Sequence, residues 1–390
     1  GTRRVRLVGI AAGLAARQGV PAVTKSATPG LKIALVHERF APDYGGGGEY
    51  VVLQIALHLI ALGHRVRVVT TGDPAHDSFE GVPLKRLPVS RYRFNLQWRA
   101  VAAEAADTDL IHCFSYHAAW PAFRAGRRLG KPVVFGALAL FGETWREMRG
   151  PVVGRCFQAF EAFLLRLPFA RQLFLSPGSL RLAHTLRPAR ASDAIIAPGI
   201  SLQDYRPQEH KDAVLFSGKL EARKGVRAVQ ELARQLPHIP FLVVGWGDDF
   251  EEVAASSPSN MTVQRFTDRQ ALARILGAGR IFLFPTKAET FGLVVAEAMA
   301  SGCAVVSSAP IEFEGARIDP EDLPGIKHAI QALWADPQRC HACGVRNIAL
   351  AQAFSWEHHM RPLETVYREV LGHSPAPSLP PAFPESRKPT

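Results

Sequence analysis

An α/β fold made of two Rossmann-like domains, each a doubly wound parallel sheet, is predicted by three observations. Short apolar runs alternate with longer amphipathic ones from Leu31 onward, the same grammar restarts near residue 213, and a polar, proline-bearing segment, APGISLQDYRPQEHKDA, separates the two series. Such alternation marks a parallel sheet covered on both faces, because crossover helices bury strands that are apolar throughout. In open parallel sheets ligands sit beyond the carboxyl ends of the strands, so two such sheets predict domains facing across a cleft.

Each element follows from its own residues. Residues 1–30 contain no acid and read as a basic, flexible extension, with the apolar stretch Leu7 to Ala16 inside it resembling part of a targeting segment. In the first domain, 31–200, LKIALVH is a buried strand and Gly45 to Gly48 form a loop. EYVVLQIALHLIALG is then a helix ending at Gly63, and HRVRVVT, DLIHCF and KPVVFGAL are further strands. In the second domain, 201–355, AVLFSGK, FLVVGWG, RIFLFPT and CAVVSS are strands, and VRAVQELARQL, ALARILGAG and GLVVAEAMASG are the helices between them. Residues 372–390 hold six prolines and little to bury, which predicts a disordered tail.

Charge is divided unevenly. Residues 1–200 carry 26 Lys and Arg against 13 Asp and Glu, and the remainder 20 against 22, so the first half is a cationic body. That field favours an anionic or membrane-associated acceptor and peripheral contact with a membrane. Nucleic acid is disfavoured, since no zinc-finger spacing, RNA-binding aromatic signature or continuous basic helix accompanies the charge. No apolar run approaches the ~18 residues of a membrane span. The five scattered cysteines form no disulfide framework, which fits a cytoplasmic protein, peripheral at most to the inner membrane face.

The most specific stretch is PTKAETFGLVVAEAMASG, residues 285–302. Glu289 precedes a helix opened by Phe291 and Gly292, and Glu297 lies eight residues on, inside that helix. Exposed N–H groups at a helix start attract phosphate, and Gly292 lets a ligand approach the backbone closely. One carboxylate before that terminus and one a turn beyond it suit a sugar on one side of a diphosphate and a ribose on the other. Upstream, VLFSGKLEARKGV puts Lys219 and Lys224 in the loop after the domain's first strand, where two cations can neutralise a diphosphate leaving group.

Together with GGGGEYVVLQIALHLIALGHRVRVV, these motifs resemble the retaining family-4 glycosyltransferases of the two-Rossmann GT-B type, over about residues 31–371. The resemblance implies a nucleoside diphosphate sugar donor, UDP- or GDP-linked, with no cofactor and no metal. It implies that Glu289 binds donor-sugar hydroxyls, that Glu297 holds the ribose, and that Thr290 and the backbone of Phe291, Gly292 and Leu293 meet the donor at its diphosphate. Gly218 belongs to the same donor site. Lys224 matches the family's phosphate-binding lysine, and Lys219 replaces its usual arginine, keeping the charge but losing the planar fork. Gly46, Gly47 and Gly48 would close over diphosphate or acceptor, and FSWEHHMRPLETVYREVL, about 356–371, is similar to the helix that crosses back to the first domain.

The pattern is broken in places. Where many members carry His-x-His, this chain has His112 and Phe114; His112 and His117 are the candidate acceptor or cleft residues. KPVVFGAL lacks an expected histidine, and the segment after Ser308, APIEFEGARIDP, is short. Asp107-Thr108-Asp109 spells a metal motif of another transferase fold but reads as a strand cap, and Cys340-His341-Ala342-Cys343 is a single CxxC without a second pair. The expected activity is retaining, metal-independent hexosyl transfer in glycolipid, polysaccharide or glycoconjugate synthesis. Its catalytic residues would be Lys219, Lys224 and Glu289. The alternative is a noncatalytic nucleotide-sugar-binding subunit supporting a partner transferase.

Overall fold

A computed structural model describes residues 29–43, 46–209 and 212–373. The extension up to residue 28, Gly45 and the proline-rich tail from residue 374 lie outside the described residues. The chain forms two units, one comprising the residues up to Gly199 together with those from Trp356 onward, the other Ile200–Ser355.

The sheet of the first unit contains β1 (Lys32–Val36), β2 (Arg65–Thr71), β3 (Ser78–Phe79), β4 (Val82–Leu87), β5 (Leu110–Phe114), β6 (Val133–Ala137), β7 (Arg171–Phe174) and β8 (Asp193–Ile195), in the order β3-β4-β2-β1-β5-β6-β7-β8. Every pairing but β3 with β4 is parallel. Central strands are buried on both faces, as their unbroken apolar runs require: all five residues of β5 and of β6 are buried. β4 reads VPLKRL, exposed at Pro83 and Lys85, and β8 is only half-buried, so neither shows the continuous apolar run by which its neighbours are recognised.

The glycine segment differs from expectation. Gly46 is the N-cap and the helix Gly47–Ala61 begins at once, so Gly47 and Gly48 are its first turn rather than a loop. The helix Trp356–Val370 belongs to this unit: His359 Nδ1 donates to the Ala197 carbonyl at 2.7 Å, and the Tyr367 hydroxyl lies 2.6 Å from His112 Nδ1.

The second unit holds β9 (Ala213–Lys219), β10 (Phe241–Trp246), β11 (Met261–Arg265), β12 (Gly279–Phe284), β13 (Ala304–Ser307) and β14 (Gly315–Arg317), ordered β11-β10-β9-β12-β13-β14 and parallel throughout. β14 lies in the short segment after β13. Arg317 ties that segment down by donating to the carbonyls of Ala309 at 2.7 Å and Ile311 at 2.6 Å. The strand order reverses between β9 and β12, which makes the carboxyl ends of these two strands the switch point of this sheet.

Candidate functional site

The loops leaving β9 and β12 carry the residues singled out above, and strand order alone puts them side by side. After β9, a single 3-10 turn, Ala222–Lys224, leads through Gly225, at φ +81°, into the helix Val226–Gln235. The turn is stitched to the other loop: the Lys287 amide donates to the Arg223 carbonyl at 2.8 Å, and an Arg223 guanidinium N–H reaches the Ala288 carbonyl at 3.3 Å. Thr286 Oγ1 lies within hydrogen-bond distance of both of those carbonyls.

This stitching sets Lys224 against Glu289, whose carboxylate accepts from the Lys224 ammonium. The two side chains are 13% and 17% exposed, so the pair is largely dry yet open at one edge. The Lys224 ammonium also lies 5.2 Å from the centre of the Phe284 ring. Burial by itself lifts the Glu289 carboxyl. The charge and hydrogen bond of Lys224, the nearby Arg223 guanidinium and the Thr290 amide outweigh it and hold the group below the ordinary glutamate range. At neutral pH Glu289 is therefore an anion, held against Lys224 at the switch point.

Beside them the helix Leu293–Ala300 starts from Gly292 at φ +94°. A Cβ there would lie 3.2 Å from the Ala309 Cβ and 3.3 Å from Val295, so both conformation and space demand glycine. The Val295 amide donates to the Gly292 carbonyl at 2.9 Å, and a helix start of this kind can offer its earlier amides to an anion. Phe291, 1% exposed, anchors the turn edge-on against Phe354 with ring centres 5.1 Å apart. Thr290 is buried here too.

Glu297 lies within this helix, 2% exposed, and its carboxylate accepts from Arg269. Arg269 opens the helix Arg269–Ala278, whose start is fixed by Asp268 accepting from the Ala271 amide at 2.8 Å. Nothing near Arg269 in the sequence marks it as a partner of Glu297; the contact exists only in three dimensions. Arg223 was likewise passed over, although it stands next to Lys224.

The remaining expected residues are placed differently. Gly218, at φ +155°, is the penultimate residue of β9. Lys219 pairs with Glu221 at 3.2 Å and is 47% exposed, so it stands at the strand end without joining the Lys224–Glu289 pair. In the first unit, Gly46 to Gly48 supply a helix start. His117, 8% exposed, lies 2.8 Å from Asn95 through Nδ1; burial is the main reason its imidazole titrates below the usual histidine range.

His112 is enclosed by its own unit. It lies inside β5, 1% exposed, with its ring 4.0 Å from Phe114 and Nδ1 on Tyr367, and burial lowers its pKa to about 3. It is a neutral core histidine joining the sheet to the closing helix. Asp109 accepts from the Lys32 amide at 2.7 Å, tying the start of β5 to β1, and Cys340 and Cys343 are buried in the helix Pro337–Ala351.

The chain is similar to known proteins along both units. The family model described as glycosyl transferases group 1 matches residues 211–336, and that described as glycosyltransferase family 4 matches residues 45–205. A D-inositol 3-phosphate glycosyltransferase of Segniliparus rotundus is 29% identical over 210 residues, covering 45% of this chain and 47% of that protein. The chain thus spans about half the length of this relative. One from Mycobacterium marinum is 26% identical over an alignment covering 85% of this chain and 82% of that protein. Among solved structures, sucrose-phosphate synthase from Thermosynechococcus elongatus superposes with a TM-score of 0.75 at 20% identity, covering 88% of this chain and 99% of that one. HepE from Anabaena, in complex with UDP-glucose, gives 0.70 at 16% identity, covering 88% and 98%. At these identities the structural likeness establishes the fold.

Proposed function

The chain belongs to the family-4 glycosyltransferases of the GT-B type, and from that premise we propose that it moves a hexose from a nucleoside diphosphate sugar to an acceptor hydroxyl, with retention at the anomeric carbon. The observation that carries this reading is the Lys224–Glu289 pair beside the Gly292 helix start, at the switch point between β9 and β12. Uridine diphosphate is the first carrier nucleotide to test, because HepE is seen in complex with UDP-glucose.

In this reading the diphosphate lies at the amides of the Leu293–Ala300 helix, with Lys224 turning to it and Lys219 adding charge from the strand end. Glu289, released from its lysine, accepts hydrogen bonds from sugar hydroxyls. Glu297, held by Arg269, faces the ribose. The acceptor oxygen attacks the anomeric carbon on the side from which the diphosphate departs. The bond to the phosphate oxygen breaks, the glycosidic bond forms, and the acceptor proton passes to the leaving phosphate oxygen. No protein nucleophile is needed, and catalysis is charge stabilisation and orientation.

The test is nucleotide release from UDP-, GDP- and ADP-sugars, with and without a lipid-plus-metabolite extract, for the native protein and Glu289→Ala. Acceptor-stimulated release from one donor, lost in the variant and giving a product of unchanged anomeric configuration, is expected. Phe114, standing where many members of the family carry the second histidine, favours the second reading, a noncatalytic supporting subunit. Donor binding without release under any condition would establish that reading instead.

A further inference from the structure

The helix Pro151–Arg166 of the first unit presents an unusual outer face. Its inward side is anchored by Glu161, 1% exposed, which accepts from Tyr116 Oη at 2.5 Å, the amides of Phe141 and Gly142 at 3.0 and 2.7 Å, and Trp145 Nε1 at 3.2 Å. Glu161 is the only acid of the helix, so its solvent side carries none. Of its exposed positions, 152, 155, 156, 159, 163 and 166 follow helical spacing and read Val, Arg, Cys, Ala, Phe, Arg, with Pro151 and Val153 exposed beside them. Val152 is 74% exposed, Val153 50% and Phe163 42%, half of the six large apolar side chains exposed among the described residues.

Charge complements this apolar stripe. A cleft of about 270 Å³ between this helix and Pro177–Leu186 is lined by Arg155, Gln158, Ala159, Ala162 and Arg166 from the first and by Thr185 and Leu186 from the second. Among the described residues neither Arg155 nor Arg166 is paired with a carboxylate, whereas Arg171, Arg187 and Arg368 of the same unit all are. The nearest acids in sequence, Glu143 and Glu147, precede this helix. An amphipathic surface whose charged members are arginines without a carboxylate partner has the composition that lies in the headgroup region of a bilayer, apolar side chains inward and guanidinium groups at phosphate depth.

We propose that this stripe docks the protein on an anionic lipid bilayer. No helix among the described residues is long and apolar enough to cross a membrane, so the contact is with the surface. The proposal is independent of the transferase reading, because it is tested without donor or acceptor. The full chain is sedimented with vesicles of phosphatidylcholine alone or mixed with phosphatidylglycerol, alongside Val152→Asp/Phe163→Asp and Arg155→Glu/Arg166→Glu. The native protein is expected to pellet with the mixed vesicles only. Each double variant, with an unchanged thermal transition, is expected to bind about tenfold more weakly. No pelleting with mixed vesicles, or pelleting of the variants equal to the native protein, would overturn it.

Discussion

Removing Lys224 tests whether the switch-point pair is held by charge. In Lys224→Met the Glu289 carboxylate, 17% exposed, keeps only the Arg223 charge and the Thr290 amide at 3.2 Å. Breaking a fully buried pair costs ~3–5 kcal/mol; with both partners open at one edge, about 2 kcal/mol is expected. Glu289→Gln should cost about 1 kcal/mol, because Lys224 retains some solvent and the Phe284 ring. If attraction binds them, the double variant falls short of the sum of the singles by at least about 1 kcal/mol. The pH dependence also reverses. In the native protein the depressed Glu289 pKa contributes stability above the unfolded carboxyl range, and that stability is lost as pH falls through the folded value. In Lys224→Met burial prevails and lifts the carboxyl, so the deficit relative to native shrinks as the pH falls through the carboxylate range. Native-state hydrogen exchange on peptides spanning 213–307 reads these local free energies. Additive single costs, or a deficit independent of pH, would refute the argument.

Acid should loosen the closing helix. His58, His112 and His359 are held below the ordinary histidine range chiefly by burial, His112 to about 3 and His359 to about 4. With folded values below unfolded ones, stability is full above the unfolded value and is lost as pH falls from about 6.5, at up to about 1.4 kcal/mol per pH unit for each histidine. Exchange of residues 356–370 against pH checks this, and a flat profile between pH 7 and 5 would contradict it. Gly225→Ala should cost more than about 2 kcal/mol, since a Cβ would lie 2.2 Å from the Pro285 carbonyl at a φ that disfavours any side chain; calorimetry decides. Arg269→Ala leaves the buried Glu297 carboxylate without that partner and should weaken UDP binding about tenfold, read by titration calorimetry; unchanged affinity would remove Glu297 and Arg269 from the donor site.

The sequence by itself determined the two parallel-sheet units, because strands buried on both faces must be apolar throughout and the helices between them must be amphipathic. It also singled out Glu289, Gly292 and Lys224 as candidates, since a helix opened by glycine with charge beside it is distinctive in sequence. What it left open were the weakly patterned edge strands, such as β4 and β8, and the first turn at Gly47, where glycine signals a loop but the backbone is helical. Only the tertiary structure decided which charges meet. Lys224 and Glu289 are 65 residues apart and touch because β9 and β12 are neighbours, and Arg269 reaches Glu297 from a separate helix. His112 Nδ1 meets the hydroxyl of Tyr367, 255 residues away. Local patterns record what each segment must bury; contacts between distant side chains depend on strand order, which no single segment encodes.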